Sequence, residues 1–394
     1  MSDEVLSFMN ILMLTWEYPP RIVGGLARHA EEISEALVEN WDQVDVITAA
    51  HKDAPEYEVR NGVHIHRVPE PIKAPQFFPW ILHLNFGMLT KAHQIMQSRN
   101  IDVVHAHDWL VTHTGVQLKQ IYNKPLVATI HATEAGRWNG IHNETQTYVH
   151  SMEWFLNYES QRTIVCSDYM RDEVMSNYNL PHEKIDIIPN GIKREKFDFD
   201  FPDALNFRRR LAADHEPLIV SVGRMVPEKG FQVLVEAAAD ILRDIPQARF
   251  VIAGKGGMLE ELRARAEAYG IADRISLPGY VSDDDLLKLL RVADVGVYPS
   301  LYEPFGIVAL EAMAARTPVV VSDTGGLGGI VEHGVTGIKT YKGSADSLAW
   351  GIRQVLYNPE WSQWMVEQAY HRLIDTFNWD IIARQTKSVY EHVV

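Results

Sequence analysis

Short apolar runs alternate along the chain with segments whose apolar residues recur every three or four positions. The segment 24–40 shows the second pattern, because Leu26, Ala30, Ile33 and Leu37 fall on one face of a helix. This alternation is typical of parallel sheets, since two parallel strands must be joined by a crossover, which is usually a helix. The chain therefore has the pattern of an α/β protein.

The strand candidates form two series, which predict two domains. The first series lies at 10–16, 44–50, 63–69, 101–107, 125–131, 161–167 and 184–190. The second begins near residue 217 and consists of PLIVSVGR, ARFVIAGKG, RISLPGY, VADVGVYPS, TPVVVSD and VTGIKTY. A chain of 394 residues has room for two cores, because single cores stop growing at roughly 250–300 residues. We expect domains over 9–195 and 196–375, followed by a helix within 376–394.

Charge and composition exclude several classes of protein. The net charge of −15, from 37 basic and 52 acidic residues, would repel nucleic acid and anionic membranes, so a phosphate ligand needs a local basic pocket. The start, MSDEVLSFMNILML, lacks the basic region of a signal peptide, and no run of about 18 apolar residues appears. We expect a cytoplasmic protein with no nucleic-acid partner and no membrane insertion; its oligomeric state stays open.

One loop of the second series carries two cations next to a strand end. In SVGRMVPEKG (221–230) the strand is expected to end at Val222, and Arg224 and Lys229 follow it. Ligands of doubly wound sheets bind beyond the carboxyl ends of the strands, and an arginine fork and a lysine charge both suit phosphate oxygens. Two solvated surface cations would produce the same sequence, so this loop alone leaves both interpretations open.

Two glycine-rich turns also follow strands. VIAGKGG (251–257) leads into a helix, and PRIVGGLARHA (20–30) places Gly24 and Gly25 at the start of another. Glycine allows close backbone approach, and the amino terminus of a helix favours an anion. The G-x-G-G spacing differs from a dinucleotide fingerprint, and an ordinary tight turn explains each segment equally well.

Histidines lie at the ends of two strands of the first series. VVHAHDW (103–109) places His105 and His107 on one face of a strand, which could begin a metal site, but no third ligand follows at a typical spacing. His131 comes just after a strand in ATIHATEAG (128–136), where active-site groups collect. A single histidine is more often structural, so its position favours a catalytic role only modestly.

Two carboxylates, Glu303 and Glu311, lie in YEPFGIVALEAMA (302–314). The pattern predicts a helix from about residue 304 or 305, with Glu303 near its amino terminus and Glu311 about two turns inside. At a rise of 1.5 Å per residue the acids would be roughly 12 Å apart, too far for a glycosidase pair. The apolar neighbours of Glu311 predict that it is partly buried and needs a polar partner. A capping residue and a solvated helix residue are the alternative interpretation.

Together these segments resemble retaining glycosyltransferases of the GT-B fold, family GT4, over nearly the whole chain. EPFGIVALE (303–311) is similar to the E-x7-E signature of the family, VGRMVPEKG to its phosphate-binding loop and PRIVGGLARH to its first glycine-rich loop. TWEYPPRIVGGLARHA and HAHDW are similar to segments of the glycogen and starch synthase branch. The resemblance implies two Rossmann-like doubly wound domains facing across a cleft, with the last helix packing back on the first domain.

The resemblance also implies a reaction. A nucleoside diphosphate sugar, expected to be UDP-glucose or ADP-glucose, passes its hexose to a hydroxyl of a carbohydrate acceptor with the anomeric configuration retained. Arg224 and Lys229 would hold the diphosphate, Glu311 the ribose, and Glu303 the reacting sugar. His131 would lie near the 6-hydroxyl of that sugar. No metal or further cofactor is implied, because the two cations and the helix termini supply the positive charge.

Further donor contacts follow from the same resemblance. The first glycine loop would approach the donor phosphate, the turns after two strands would flank the base, and the amides before and within the E-x7-E helix would serve sugar and phosphate. These positions are Gly24, Gly25, Gly256, Val281, Phe305, Gly306, Ile307 and Val308.

The sequence departs from the synthase branch at one position. Glycogen and starch synthases usually have a lysine two positions before the paired glycines, where this chain has Ile22, preceded by Arg21. Either Arg21 takes the place of that lysine or the acceptor differs. A GT4 enzyme that makes a small glycoside of the sucrose, trehalose or mannosyl type is therefore an alternative. A sugar- or nucleotide-binding protein without turnover is another, against which the intact acids and cations argue.

Overall fold

The computed structural model describes residues 8–40, 42–69 and 76–394, which divide into two compact units. Unit 1 runs to Gly191 and resumes over Trp379–Val394, and unit 2 is Ile192–Asn378. The divisions lie within a few residues of the boundaries expected at 195 and 375. Across the described ranges, no helix is both long enough and apolar enough to cross a membrane.

Unit 1 is built on a mostly parallel sheet. Its strands are β1 (Asn10–Leu14), β2 (Gln43–Ala49), β3 (Tyr57–Arg60), β4 (Val63–Val68), β5 (Val103–His107), β6 (Leu126–Ile130), β7 (Arg162–Val165) and β8 (Ile185–Ile187). The strand order in the described part of the chain is β3-β4-β2-β1-β5-β6-β7-β8, and only β3 pairs antiparallel, with β4. The sequence pattern predicted every one of these strands except β3.

The helices of unit 1 cover a sheet whose central strands are buried. They are α1 (Gly25–Glu39), α2 (Phe77–Ser98), α3 (Thr112–Tyr122), α4 (Glu134–Trp138), α5 (Glu144–Glu159) and α6 (Asp168–Tyr178). The predicted apolar face of α1 is buried and belongs to the same hydrophobic cluster as residues of β1, β2 and β5. Burial of this face, rather than helix propensity, holds α1 in place.

Unit 2 has a fully parallel sheet. Its strands are β9 (Leu218–Val222), β10 (Arg249–Ala253), β11 (Ile275–Gly279), β12 (Val295–Tyr298), β13 (Val319–Ser322) and β14 (Ile338–Thr340), in the order β11-β10-β9-β12-β13-β14. Its helices are α7 (Ala204–Arg209), α8 (Phe231–Asp244), α9 (Leu259–Ala268), α10 (Asp283–Val292), α11 (Ile307–Ala314), α12 (Leu327–Ile330), α13 (Ala345–Tyr357) and α14 (Pro359–Thr376). The two doubly wound sheets confirm the predicted α/β class.

The chain ends in α15 (Trp379–Glu391), which belongs to unit 1 and is tied to it by polar contacts. Lys387 Nζ donates to Asp42 Oδ1 at 2.6 Å, and both side chains are fully buried. Trp379 Nε1 donates to Glu32 Oε2 of α1 at 2.8 Å. A buried ion pair adds little net stability, but the loss of one partner leaves an uncompensated charge.

Replacing Lys387 by methionine should lower the free energy of unfolding of unit 1 by about 3–5 kcal/mol, because Asp42 is left buried without its countercharge. The double variant Asp42→Asn, Lys387→Met should recover most of that loss, since asparagine can still accept the hydrogen bond that the Met9 amide donates to Asp42. Urea unfolding of both, with Lys52→Met at an exposed lysine of unit 1 as control, tests this. Equal stability of Lys387→Met and the wild type would contradict it.

Candidate functional site

The strand order reverses near the middle of each sheet, and the polar residues of interest follow the strands beside that point. In unit 2 the reversal lies between β9 and β12, and in unit 1 it lies between β1 and β5. Because the carboxyl ends of parallel strands share one edge of the sheet, the loops after these strands meet there. A crevice of this kind is where open α/β sheets bind ligands.

Lys229 and Glu303 form an ion pair at the reversal point of unit 2. Lys229 Nζ lies 2.5 Å from Glu303 Oε2, and Ser300 Oγ donates to the same oxygen at 3.1 Å. Lys229 ends a short 3-10 turn after β9, and Glu303 lies in the loop after β12. Only 18% of the lysine side chain and 8% of the glutamate side chain are exposed. The two side chains are therefore in direct contact, although the resemblance assigns Lys229 to the diphosphate and Glu303 to the reacting sugar of the donor.

Arg224 is the more accessible cation of the same loop. Its side chain is 51% exposed, and its Nη2 lies 3.4 Å from Glu228 Oε1. The loop itself is fixed, because the Glu228 carbonyl accepts hydrogen bonds from the amides of Leu301 and Tyr302 at 2.7 and 3.2 Å. A fixed backbone with an exposed guanidinium can receive an anion without reorganising the loop.

The helix of the E-x7-E segment begins later than predicted. α11 starts at Ile307, not at residue 304 or 305, because Gly306 is its N-cap with φ +115°, a conformation outside the helical region. Glu303 therefore lies in the preceding loop, not at the cap, and the separation of roughly 12 Å that assumed a continuous helix does not apply. No side chain caps α11, and Ile307 and Val308 are partly exposed, so first-turn amides can meet a ligand oxygen.

Glu311 lies one turn inside α11 rather than two. It is only 5% exposed, which confirms the predicted burial. Burial of the Tyr298 phenol at the end of β12 raises its pKa, and the charge of Glu311 adds to that rise. Phe305, before the helix, is also buried and packs edge-on against Phe377, with ring centroids 6.0 Å apart.

The two predicted base-contact positions lie in neighbouring loops at the same edge of the sheet. Gly256 follows β10 with φ +155°, and a Cβ there would lie 2.2 Å from the Met225 carbonyl oxygen. Met225 in turn donates its amide to the Lys255 carbonyl at 2.7 Å. Gly256 is thus required by backbone packing whether or not a ligand binds. Val281 is partly exposed between β11 and α10.

In unit 1, a carboxylate of the protein occupies the first glycine loop. Glu17 Oε2 accepts hydrogen bonds from the amides of Val23 and Gly24, at 2.6 and 3.2 Å, and Glu17 is buried. Gly24 caps α1 and Gly25 is the first residue of that helix. The Gly24 amide therefore already has an anionic partner, which the sequence did not predict.

Arg21, the candidate substitute for the synthase lysine, bonds to the backbone near the end of β2. Arg21 Nη2 donates to the Ala50 carbonyl at 2.6 Å, just beyond the end of β2. Ile22 is 47% exposed. This contact draws the Arg21 guanidinium towards β2.

Three histidines meet at the reversal point of unit 1. His107 ends β5, and His131 follows β6; their Nδ1 and Nε2 atoms are 3.1 Å apart. His29 on α1 completes the group, with its ring centroid 4.7 Å from that of His131. Desolvation lowers the pKa of His131 to about 3 and holds those of His29 and His107 well below the ordinary value. His105, suggested by the sequence as part of a pair, instead bonds to Tyr390 and Thr129.

Asp108 and Glu153, two buried acids close to Arg137, carry no signature in the sequence motifs. Asp108 Oδ1 accepts the His131 amide at 2.8 Å, and Asp108 has φ +61° and ψ +171°, a region rarely occupied except by glycine. Burial raises the pKa of Asp108 to about 6 and that of Glu153 to about 8, while the Arg137 guanidinium opposes both shifts. The available signal for Asp108 was its place directly after a strand, where active-site groups collect.

Comparisons with known proteins agree with this architecture. The family models for "Glycosyl transferases group 1" and "Glycosyltransferase Family 4" match residues 203–372 and 23–196. An uncharacterized glycosyltransferase of Methanocaldococcus jannaschii is 43% identical over 97% of this chain and 98% of its own. A glycogen synthase of Mycobacterium tuberculosis is 36% identical over 97% and 94%. The structure of sucrose-phosphate synthase from Thermosynechococcus elongatus superposes with a TM-score of 0.84 at 25% identity, covering 98% of both chains.

The raised pKa of Glu153 should make the stability of unit 1 fall with rising pH. The folded protein keeps a proton that the unfolded chain releases, so folding is penalised progressively between the ordinary pKa of 4.5 and the folded value of about 8. Glu153→Gln should remove on the order of 3 kcal/mol of this loss between about pH 5 and pH 8. Urea unfolding across that range, with the exposed Glu144→Gln of the same helix as control, measures it. Parallel pH profiles of variant and wild type would contradict it.

Proposed function

The chain belongs to glycosyltransferase family 4, with the GT-B architecture and a likeness to the glycogen and starch synthase branch. We propose that it moves a hexose, with glucose as the expected sugar, from a nucleoside diphosphate sugar to an acceptor hydroxyl and retains the anomeric configuration. The observation that carries the proposal is the Lys229–Glu303 pair beside the exposed Arg224, at the ligand-binding edge of unit 2.

The two cations stabilise the negative charge that develops during the reaction. As the bond between the anomeric carbon and the phosphate oxygen breaks, negative charge builds up on the departing diphosphate. Arg224 supplies an exposed guanidinium, and Lys229 a shielded ammonium that is already oriented by Glu303. Preorganised charges of this kind stabilise the leaving group without reorganisation during the reaction.

The two acids contact different parts of the donor. Glu303, joined to Lys229, accepts hydrogen bonds from the hexose and faces the positive charge that develops at its anomeric carbon. Glu311, buried in α11, accepts hydrogen bonds from the ribose hydroxyls, while the first-turn amides of the same helix serve sugar and phosphate oxygens. Gly256 and Val281 flank the base. The Lys229–Glu303 contact supports this division, because it brings the phosphate cation next to the sugar acid.

His131 acts on the hexose as a neutral group. Its pKa of about 3, lowered by desolvation and by Arg137, leaves the imidazole uncharged at neutral pH. A neutral imidazole can accept or donate one hydrogen bond, which suits the 6-hydroxyl of the sugar. The Asp108 carboxylate accepts the His131 backbone amide and so fixes the residue at the end of β6.

The acceptor is proposed to be an α-glucan. The glycogen synthase of Mycobacterium tuberculosis supports this, because it aligns over nearly the whole of both chains. A small sugar acceptor is the second candidate, favoured by Ile22, which stands at the position where the synthases usually have a lysine. A screen of UDP- and ADP-sugars against glycogen, glucose 1-phosphate and the acceptors of sucrose-forming enzymes distinguishes the two candidate acceptors. The readout is the nucleoside diphosphate released. If none of the donor and acceptor pairs released nucleoside diphosphate, the proposal would be overturned.

Substitution of the two acids should have different kinetic effects. Glu311→Gln should raise the KM for the donor, at a cost on the order of 1–3 kcal/mol, because it weakens contacts to a part that does not react. Glu303→Gln should lower kcat by roughly two orders of magnitude, since its contacts strengthen in the transition state.

Binding of the bare nucleoside diphosphate provides the sharper readout. Its affinity, measured by calorimetry, should fall in Glu311→Gln and hold or rise in Glu303→Gln, because the latter releases Lys229 from its carboxylate partner. The exposed Glu360→Gln is the matched control in unit 2. The reverse pattern, or equal losses in both variants, would refute the assignment.

Turnover should not need a metal ion, because Arg224 and Lys229 supply the countercharge for the diphosphate. Initial rates after exhaustive treatment with EDTA should be no lower than those of untreated enzyme. Loss of activity on chelation, with recovery on addition of Mg²⁺ or Mn²⁺, would show that the cationic loop is not sufficient.

A further inference from the structure

The three histidines at the reversal point of unit 1 have the composition of a transition-metal site. His29, His107 and His131 each offer one ring nitrogen, and these nitrogens all lie within 4.8 Å of one another. The residues come from sequence positions far apart, so the group exists only in the fold. Imidazole nitrogens suit zinc, and three protein ligands with one open position form a known type of zinc site.

The spacing is close to what a bound ion requires. Zinc–nitrogen bonds of 2.0–2.1 Å in a tetrahedron place ligand nitrogens about 3.3 Å apart. His107 Nδ1 and His131 Nε2 are already 3.1 Å apart. The third nitrogen needs a side-chain shift on the order of 1 Å, which rotation of an imidazole supplies.

The ligand side chains are held by their surroundings. His29 Nδ1 lies 2.7 Å from Asn190 Oδ1, and because an amide oxygen can only accept, Nδ1 carries the proton and Nε2 keeps its lone pair. Asn190 is buried, and the His29 ring also packs against Trp379 with centroids 5.6 Å apart. Hydrogen bonds of this kind orient metal-binding histidines. Nε2 of His107 is buried with no hydrogen-bond partner among the described residues.

We propose that His29, His107 and His131 bind one Zn²⁺ ion, and that the bound ion inhibits the enzyme by withdrawing His131 from the sugar donor. His131 is partly exposed, so water can reach this group and complete the coordination of a bound ion. The Arg137 charge opposes a cation at His131, but the Asp108 carboxylate lies close enough to act on that same guanidinium. The inhibitory consequence rests on the proposed function; the binding does not.

Metal binding to the full-length protein tests the site without any turnover. Titration with Zn²⁺ by calorimetry, and with Co²⁺ by its tetrahedral visible bands, should show one tight site in the wild type. His29→Gln and His107→Gln should each weaken that site at least 100-fold, and Asn190→Ala roughly 10-fold. The exposed His182→Gln should leave it unchanged. Circular dichroism checks that each variant is folded.

Two outcomes would overturn the proposal. One is the absence of a tight site in the folded wild type, and the other is a site that survives in the folded double variant His29→Gln, His107→Gln, which would place the ion on surface histidines. In a separate arm, Zn²⁺ should inhibit transfer competitively with the donor, EDTA should reverse it, and His29→Gln should need at least 10-fold more Zn²⁺ for half inhibition relative to its own basal rate. Zinc binding without any glycosyl transfer would refute the proposed function and leave the metal site standing.

Discussion

The parallel pairing of strands is the constraint on which both candidate sites depend. Parallel strands bring their carboxyl ends to one edge, so the residues that follow β9, β10 and β12 meet in unit 2. Those that follow β5 and β6 meet in unit 1 in the same way. The chemistry of the chain is therefore concentrated in loops that the sheet positions and the helix termini complete. Backbone packing then fixes the loops, as the 2.2 Å approach at Gly256 shows.

At both sites, charged side chains already have partners within the protein when no donor is bound. The Lys229–Glu303 contact in unit 2 orients the lysine side chain and balances its charge at the same time. Glu17 does the corresponding work in unit 1, where it binds the amides at the start of α1. Such internal pairing satisfies buried polar groups that would otherwise destabilise the fold. A donor must therefore compete with, or add to, contacts that the protein already makes.

Local pattern predicted most of the fold, and non-local geometry accounts for what it missed. Alternation of apolar runs found the buried strands, but β3 is a short, polar edge strand, Tyr57–Arg60, without that signal. The predicted start of α11 was wrong, because the sequence pattern does not show that the Gly306 backbone has a positive φ. The histidine group was missed for a different reason. His29, His107 and His131 are brought together by α1, β5 and β6, and no sequence spacing records that convergence.

The site residues of unit 2 were predicted as separate motifs, and the resemblance of the chain to GT4 enzymes is confirmed by the family matches and by relatives that align over nearly the whole chain. We propose that these residues transfer a sugar with retention of its anomeric configuration. Nuclear magnetic resonance of the product formed from a nucleoside diphosphate α-glucose labelled with ¹³C at the anomeric carbon measures this directly. The account predicts an α-linked product whose label appears in the new glycosidic bond. A β-linked product, or labelled free glucose in its place, would contradict it.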